Sequence, residues 1–157
     1  MSSLPAPLPH IGPVKARWAA HQARSRAIVS HHARQHCQAC GREDRHPDWA
    51  HLAGRRHIVA EPWASSPQLT VGLCHECHTK IDTNVDMELR DNLRRSGVGR
   101  LCDYGSSRGV AMGDIAELSL TDPLAAIIQG VGRLVEAGIE PNCCSSHEVM
   151  PSRGVRS

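Results

Sequence analysis

The sequence predicts an α+β fold in which a small, ion-stabilised core is flanked by helices. Three observations predict it. Two Cys-x-x-Cys pairs, Cys37/Cys40 and Cys74/Cys77, bracket 33 residues that hold short strand-like runs. Amphipathic or Ala-rich helical stretches lie on either side of that bracket. Leu, Ile and Val together make only 31 of 157 residues and Phe is absent, so an apolar core alone is thin for this length.

The cysteines are the strongest signal. One Cys-x-x-Cys is shared with redox proteins, whereas two supply four thiolates, enough to close a tetrahedral zinc site. Structural zinc contributes folding free energy directly, which compensates for the sparse core. The 33-residue spacing exceeds the ~15–20 of a simple zinc ribbon, so an element is inserted between the knuckles. Seven cysteines is an odd number, and the paired spacing fits metal better than a disulfide framework. A thioredoxin-like redox protein would need a βαβ pattern beside its Cys-x-x-Cys, and the local pattern is a knuckle. A reducing, cytoplasmic setting follows as the expectation. No apolar run approaches the ~20 residues of a membrane helix, and residues 1–12 lack the apolar centre of a signal peptide.

Taken in chain order, residues 1–13 are Pro-rich and are expected to form a disordered lead. Residues 14–36 contain no Gly or Pro and read as a basic helix, with Trp18 and Ile28 as its anchors. Residues 37–97 form the metal-bearing core. Within it Trp49–Leu52 and His57–Val59 read as two strands joined by a turn at Gly54-Arg55-Arg56. Leu69–Leu73 leads into the second knuckle, and a short helix runs from Cys77 to Asp82. Thr83, followed by Asp86, starts the next helix, which Gly97 ends; Val85, Leu89 and Leu93 form its stripe, and Arg90, Arg94 and Arg95 lie near one side. Residues 98–140 make a helical extension whose clear element spans Pro123–Ala137, with Asp122 as N-cap and Gly138 as stop. Its apolar face, Leu124, Ile127, Ile128, Val131, Leu134 and Val135, predicts packing against the N-terminal helix, with a homodimer interface as the alternative. Residues 141–157 are expected to be a disordered tail.

Charge is uneven along the chain. Residues 1–42 carry six Lys or Arg and no acid, whereas the remainder is net −4. Five histidines add to this basic segment, which reads as an electrostatic footprint for phosphate backbones, with a solvated helix face as the alternative. Arg24 and Arg34 on the first helix and Arg55 and Arg56 at the turn are the candidate DNA contacts.

Residues 37–82, about 30% of the chain, resemble the zinc-bearing HNH endonucleases. The matching text is CQACGREDRHPDWAHLAGRRH, followed by EPWASSPQLTVGLCHECHTKID. The family pattern is Cys-x-x-Cys, a His-bearing strand, a loop with an Asn, and Leu-Cys-x-x-Cys-His opening a helix. The resemblance implies a ββα-metal core, hydrolysis of DNA phosphodiester bonds, and a phage or mobile-element setting. It makes His51 the general base and His78 a ligand of a catalytic divalent ion, Mg²⁺, Mn²⁺, Zn²⁺ or Ni²⁺. Asp82, four residues on and on the same helix face, is its second ligand. Many members carry a ligating residue immediately before the base. Ala50 stands there instead, and Asp48, two residues back on the same strand face, is a candidate in its place. The family's loop Asn is also replaced; Gln68 is the nearest amide, with Ser65 and Ser66 as weaker substitutes. His57 is a candidate for a metal or phosphate contact, whereas His75, inside the second knuckle, is expected to be exposed. The competing reading is a non-catalytic zinc module that binds nucleic acid through its basic N-terminal segment.

Overall fold

The computed structural model describes residues 13–144 except 55, 59 and 60. It is a mixed helix and sheet structure. Helix α1 spans Pro13–Ala33, strand β1 Asp48–His51, the one-turn helix α2 Glu61–Ala64, strand β2 Thr70–Leu73 and helix α3 His75–Asp82. Helices α4 (Met87–Ser107), α5 (Gly113–Leu118) and α6 (Pro123–Glu136) follow, and a 3₁₀ turn covers Asn142–Cys144.

The strand pairing differs from the sequence expectation. β1 pairs antiparallel with β2, placing Asp48 opposite Leu73 and His51 opposite Thr70. His57 and Ile58 instead close a turn on the Gly54 carbonyl, at 3.0 and 3.1 Å. Val59 and Arg55 lie outside the described residues. The true partner, Thr70-Val-Gly-Leu73, is buried at every position, so its sequence has no polar alternation to mark it as a strand. Gly72 is required there by close packing. A Cβ on it would lie 3.2 Å from the Ala33 Cβ and 3.3 Å from the Pro47 Cβ. Gln38 completes the join, its backbone N–H donating to the Gly72 carbonyl and its side-chain Oε1 accepting from the Gly72 N–H.

α3 starts earlier than expected, at His75, because the Cys74 side chain caps it by accepting from the Cys77 N–H. Thr83 closes α3 rather than opening the next helix. Asn84, at φ +58°, turns the chain, and the Asp86 carboxylate caps α4 through the Leu89 N–H at 2.9 Å. Val85 is therefore 74% exposed instead of being part of an apolar stripe.

Gly97 does not end α4, which runs on to Ser107. Its missing side chain lets the helix approach the core, since a Cβ there would fall 2.7 Å from Leu52 Cδ1. α6 starts as expected at Pro123, with Asp122 accepting from the Ala125 N–H, and ends one residue early at Glu136, with Ala137 as its cap and Gly138 at φ +76°. It packs on α4 and α5 rather than on α1. Ile127, Val131 and Leu134 are buried in that contact, while Ile128 and Val135 face outward at 39% and 48% exposure.

One apolar cluster runs from the strands through Trp63, Leu101 and Ile115 to Ile127 and Leu134. Trp18 and Ile28, the expected anchors of α1, are only half-buried, and among the described side chains of α1 the buried apolar ones are instead Val29 and Ala33. The expected lead over 1–13 lies outside the described residues up to position 12, and Pro13 opens α1. The expected tail over 141–157 is described as far as 144, where Cys143 is buried and its carbonyl accepts from Arg24 Nε at 2.6 Å.

Candidate metal centre and adjoining cleft

The four knuckle cysteines, from two distant stretches of chain, come together. The sulfurs of Cys37, Cys40, Cys74 and Cys77 all lie within 4.8 Å of one another. Sulfurs on one tetrahedral zinc sit ~3.8 Å apart at the usual ~2.3 Å bond length, and Cys40 and Cys74 are 3.9 Å apart. The first knuckle is a tight turn in which Gly41, at φ +79°, returns its N–H to the Cys37 carbonyl at 2.9 Å. Backbone N–H groups of Ala39 and Cys40 point at the Cys37 sulfur at 3.4 Å, and that of Cys77 points at the Cys74 sulfur at 3.5 Å.

These amides tune the thiols. Burial works against ionising Cys37, but N–H groups of Cys40, Cys74 and Ala39 outweigh it and bring the thiol down to about 6. Cys77 is pushed up, by burial first and then by its sulfur neighbours Cys74, Cys37 and Cys40. The donor set, its spacing and its N–H···S bonds fit a structural zinc ion.

One residue beyond Cys77, His78 enters a second group. Its Nδ1 lies 3.1 Å from Asp48 Oδ2, and its Nε2 lies 3.3 Å from Asp82 Oδ2. The two carboxylates thus occupy opposite edges of one imidazole. Asp82 Oδ2 and Nε2 are separated about as two neighbouring ligands of one small cation would be, ~3 Å at ~2.1 Å bonds. Asp48 stands on the other side of the ring, where it orients the imidazole. His78, first in effect, holds the Asp48 carboxyl below its ordinary range; burial opposes this and His75 assists. His75 reaches Asp48 at 3.3 Å with its side chain 89% exposed.

His51 completes the group. It shares an open cavity of about 380 Å³ with His78, Asp82, Arg56, Arg90 and Arg94. His57 and Asn84 also border it. Three guanidiniums thus border the cleft that holds the imidazoles. Arg94 is fixed by donating to the Leu52 carbonyl at 2.7 Å, and Arg90 by donating to Asn84 Oδ1. Burial, then the charge of Arg90, lowers the Arg94 pKa, so this cation is poorly solvated and suited to an anion.

The His51 ring is held from two sides. Its Nε2 is 3.2 Å from Ser65 Oγ, and Trp49 packs against it edge to face at 4.7 Å. Gln22 of α1 donates to the same Ser65 oxygen at 3.5 Å. The loop contact to the His51 ring is therefore made by Ser65. Gln68 is elsewhere, buried, with its backbone carbonyl accepting from Arg100 Nε at 3.1 Å. Ala50, 1% exposed, is part of the core. Of the arginines singled out for DNA, Arg56 borders the cleft, Arg24 is tied to Cys143, Arg34 sits exposed just beyond α1 at φ +52°, and Arg55 lies outside the described residues. Arg90 and Arg94 face the site from α4, four residues apart on one helix face. That spacing was visible in the sequence, whereas Gln22 gave no signal there.

Comparison of the chain with protein-family models, characterised proteins and solved structures returned no match. Among the described residues, no helix is long and apolar enough to cross a membrane.

Proposed function

We propose that this protein is a metal-dependent endonuclease of the HNH type that hydrolyses phosphodiester bonds in DNA. The single observation carrying this reading is that His51, His78 and Asp82 open on one arginine-bordered cleft beside the four-cysteine cluster. In the tautomer whose Nε2–H donates to Ser65 Oγ, the His51 lone pair is on Nδ1, the atom that would take a proton from the attacking water. Arg56, Arg90 and Arg94 neutralise the scissile phosphate. His78 Nε2 and Asp82 would hold a divalent ion, with Asp48 fixing the ring, and such an ion supplies Lewis-acid stabilisation of the leaving 3′ oxygen. Cys37, Cys40, Cys74 and Cys77 hold a separate structural zinc.

The test is plasmid nicking across Mg²⁺, Mn²⁺, Zn²⁺ and Ni²⁺, with elemental analysis of the same sample. Cleavage lost in chelator and in His51→Ala, with bound zinc unchanged in that variant, supports the reading. Undiminished cleavage by purified His51→Ala removes His51 from the chemistry. A second reading, a zinc module that binds nucleic acid without cutting it, is favoured by Ala50, whose buried methyl leaves no ligand beside the base. DNA binding without cleavage under any of the four metals would select it.

A further inference from the structure

A second basic cavity lies across His78 from the His51 cleft. It measures about 480 Å³ between α1 and β1 and is lined by Arg26, Arg45, His46 and Trp49, with Asp48 and His78 in its wall. We propose that this cavity is a subsite for a non-scissile phosphate of the same nucleic-acid strand. The inference rests on the endonuclease reading for the identity of the strand, and on the cavity's own residues for the anion.

The residues of this cavity have donors in excess. Arg26 and Arg45 are exposed, and neither makes an ion pair among the described residues. Trp49 Nε1 is buried without an acceptor. The one carboxylate in the wall, Asp48, is already engaged by both His75 and His78. An acceptor-rich anion fits this imbalance, and a planar guanidinium matches two phosphate oxygens at once.

Arg26 is also held in place before any ligand arrives. Its guanidinium lies over the Trp49 ring at 4.7 Å, which lowers the entropy lost when it binds. The other neighbour of that indole is His51, also at 4.7 Å. Arg26 and the proposed base thus both contact the same indole. With one phosphate per ~3.4 Å of axis on each strand, an anion on Arg26 belongs to a nucleotide close to the one being cut. Because His78 lines both cavities, a strand crossing it touches both. This continuity favours a polyphosphate chain over an acidic peptide.

The test uses the full chain carrying His51→Ala, so that DNA stays intact, and measures anisotropy of labelled duplex across a salt series. Adding Arg26→Ala and Arg45→Ala together should weaken binding about tenfold and reduce the slope of log K against log salt by about 0.9, the value of one lost phosphate contact. The control pair is Arg42→Ala with Arg108→Ala, which removes the same charge outside the cavity. If the cavity pair shifts affinity and slope no more than the control pair, the subsite does not exist. Capture of an Asp/Glu-rich peptide, with DNA affinity untouched by the cavity pair, would likewise overturn the phosphate assignment. The readout is binding by a chain without His51, so failure of the wild type to nick DNA would sink the endonuclease reading and leave this result standing.

Discussion

Asp48 on β1 and His78 on α3 are thirty residues apart in the chain and meet at 3.1 Å, carboxylate oxygen to ring Nδ1. This contact ties the strand that carries His51 to the helix that carries the proposed ion-binding pair. It also gives the imidazole one orientation, with Nε2 turned towards Asp82. Outer carboxylates of this kind typically contribute 10–100-fold to metal affinity.

Asp48→Ala is therefore expected to raise the divalent-ion concentration needed for half-maximal nicking by roughly 10–100-fold. Bound zinc should stay unchanged, because no knuckle sulfur touches Asp48. A metal titration of nicking checks this, and an unshifted midpoint would remove Asp48 from the support of His78.

Ser65 holds the His51 ring through a hydroxyl at 3.2 Å. His51→Ala should cost on the order of 10²–10⁴ in nicking rate, the usual range for a general base. Ser65→Ala should cost less, about tenfold, because the Trp49 contact still positions the ring. Equal losses in both variants, with melting temperatures preserved, would mean that Ser65 contributes more than orientation.

The thiolate cluster should carry one zinc per chain. Cys74→Ser is expected to lose that zinc and the cooperative thermal transition, since serine can still cap α3 but removes one of the four sulfurs that would hold the ion. Cys102→Ser should keep both, because Cys102 lies on α4, where its thiol donates to the Met112 carbonyl, and is not one of the four clustered sulfurs. Elemental analysis and calorimetry of the two variants distinguish them, and zinc retained at full stoichiometry in Cys74→Ser would contradict the four-sulfur site.

Two glycines of α4 should respond in opposite directions. Gly97→Ala would place a methyl 2.7 Å from Leu52 Cδ1 and 3.3 Å from the Gln68 carbonyl, and should destabilise by about 1–3 kcal/mol through overpacking. Gly99 has nothing within 4 Å of an added Cβ, so Gly99→Ala should stabilise by about 0.5–1 kcal/mol through helix propensity. Denaturant unfolding of both variants gives the comparison. A stabilised Gly97→Ala would show that Leu52 can move aside.

The sequence made the sites more legible than the scaffold. Ligand spacing is local, so Cys37, Cys40, Cys74 and Cys77 could be read as one cluster, and the i,i+4 pair His78 and Asp82 as one helix face. The limits of α6 were legible because Asp122, Pro123 and Gly138 each act through their own backbone. Gly97 was misleading because a helix glycine looks the same whether it ends the helix or lets it pack closely. β2 was hidden because a fully buried strand lacks alternation, and α6's partner because an apolar face does not name what covers it. Amide chemistry favours Gln68 over Ser65, yet the turn through Ser66 and Pro67 carries Gln68 into the wall of a different cavity.

Cys77 and His78 are consecutive residues of a helix only eight residues long. Any rotation of that helix which seats the sulfur also aims the imidazole. Loading should therefore be hierarchical: the thiolate ion would go in first, and the divalent ion of the proposed hydrolysis would find His78 and Asp82 aligned only afterwards. A freshly made chain starved of zinc would then be inert towards nucleic acid however much magnesium surrounds it.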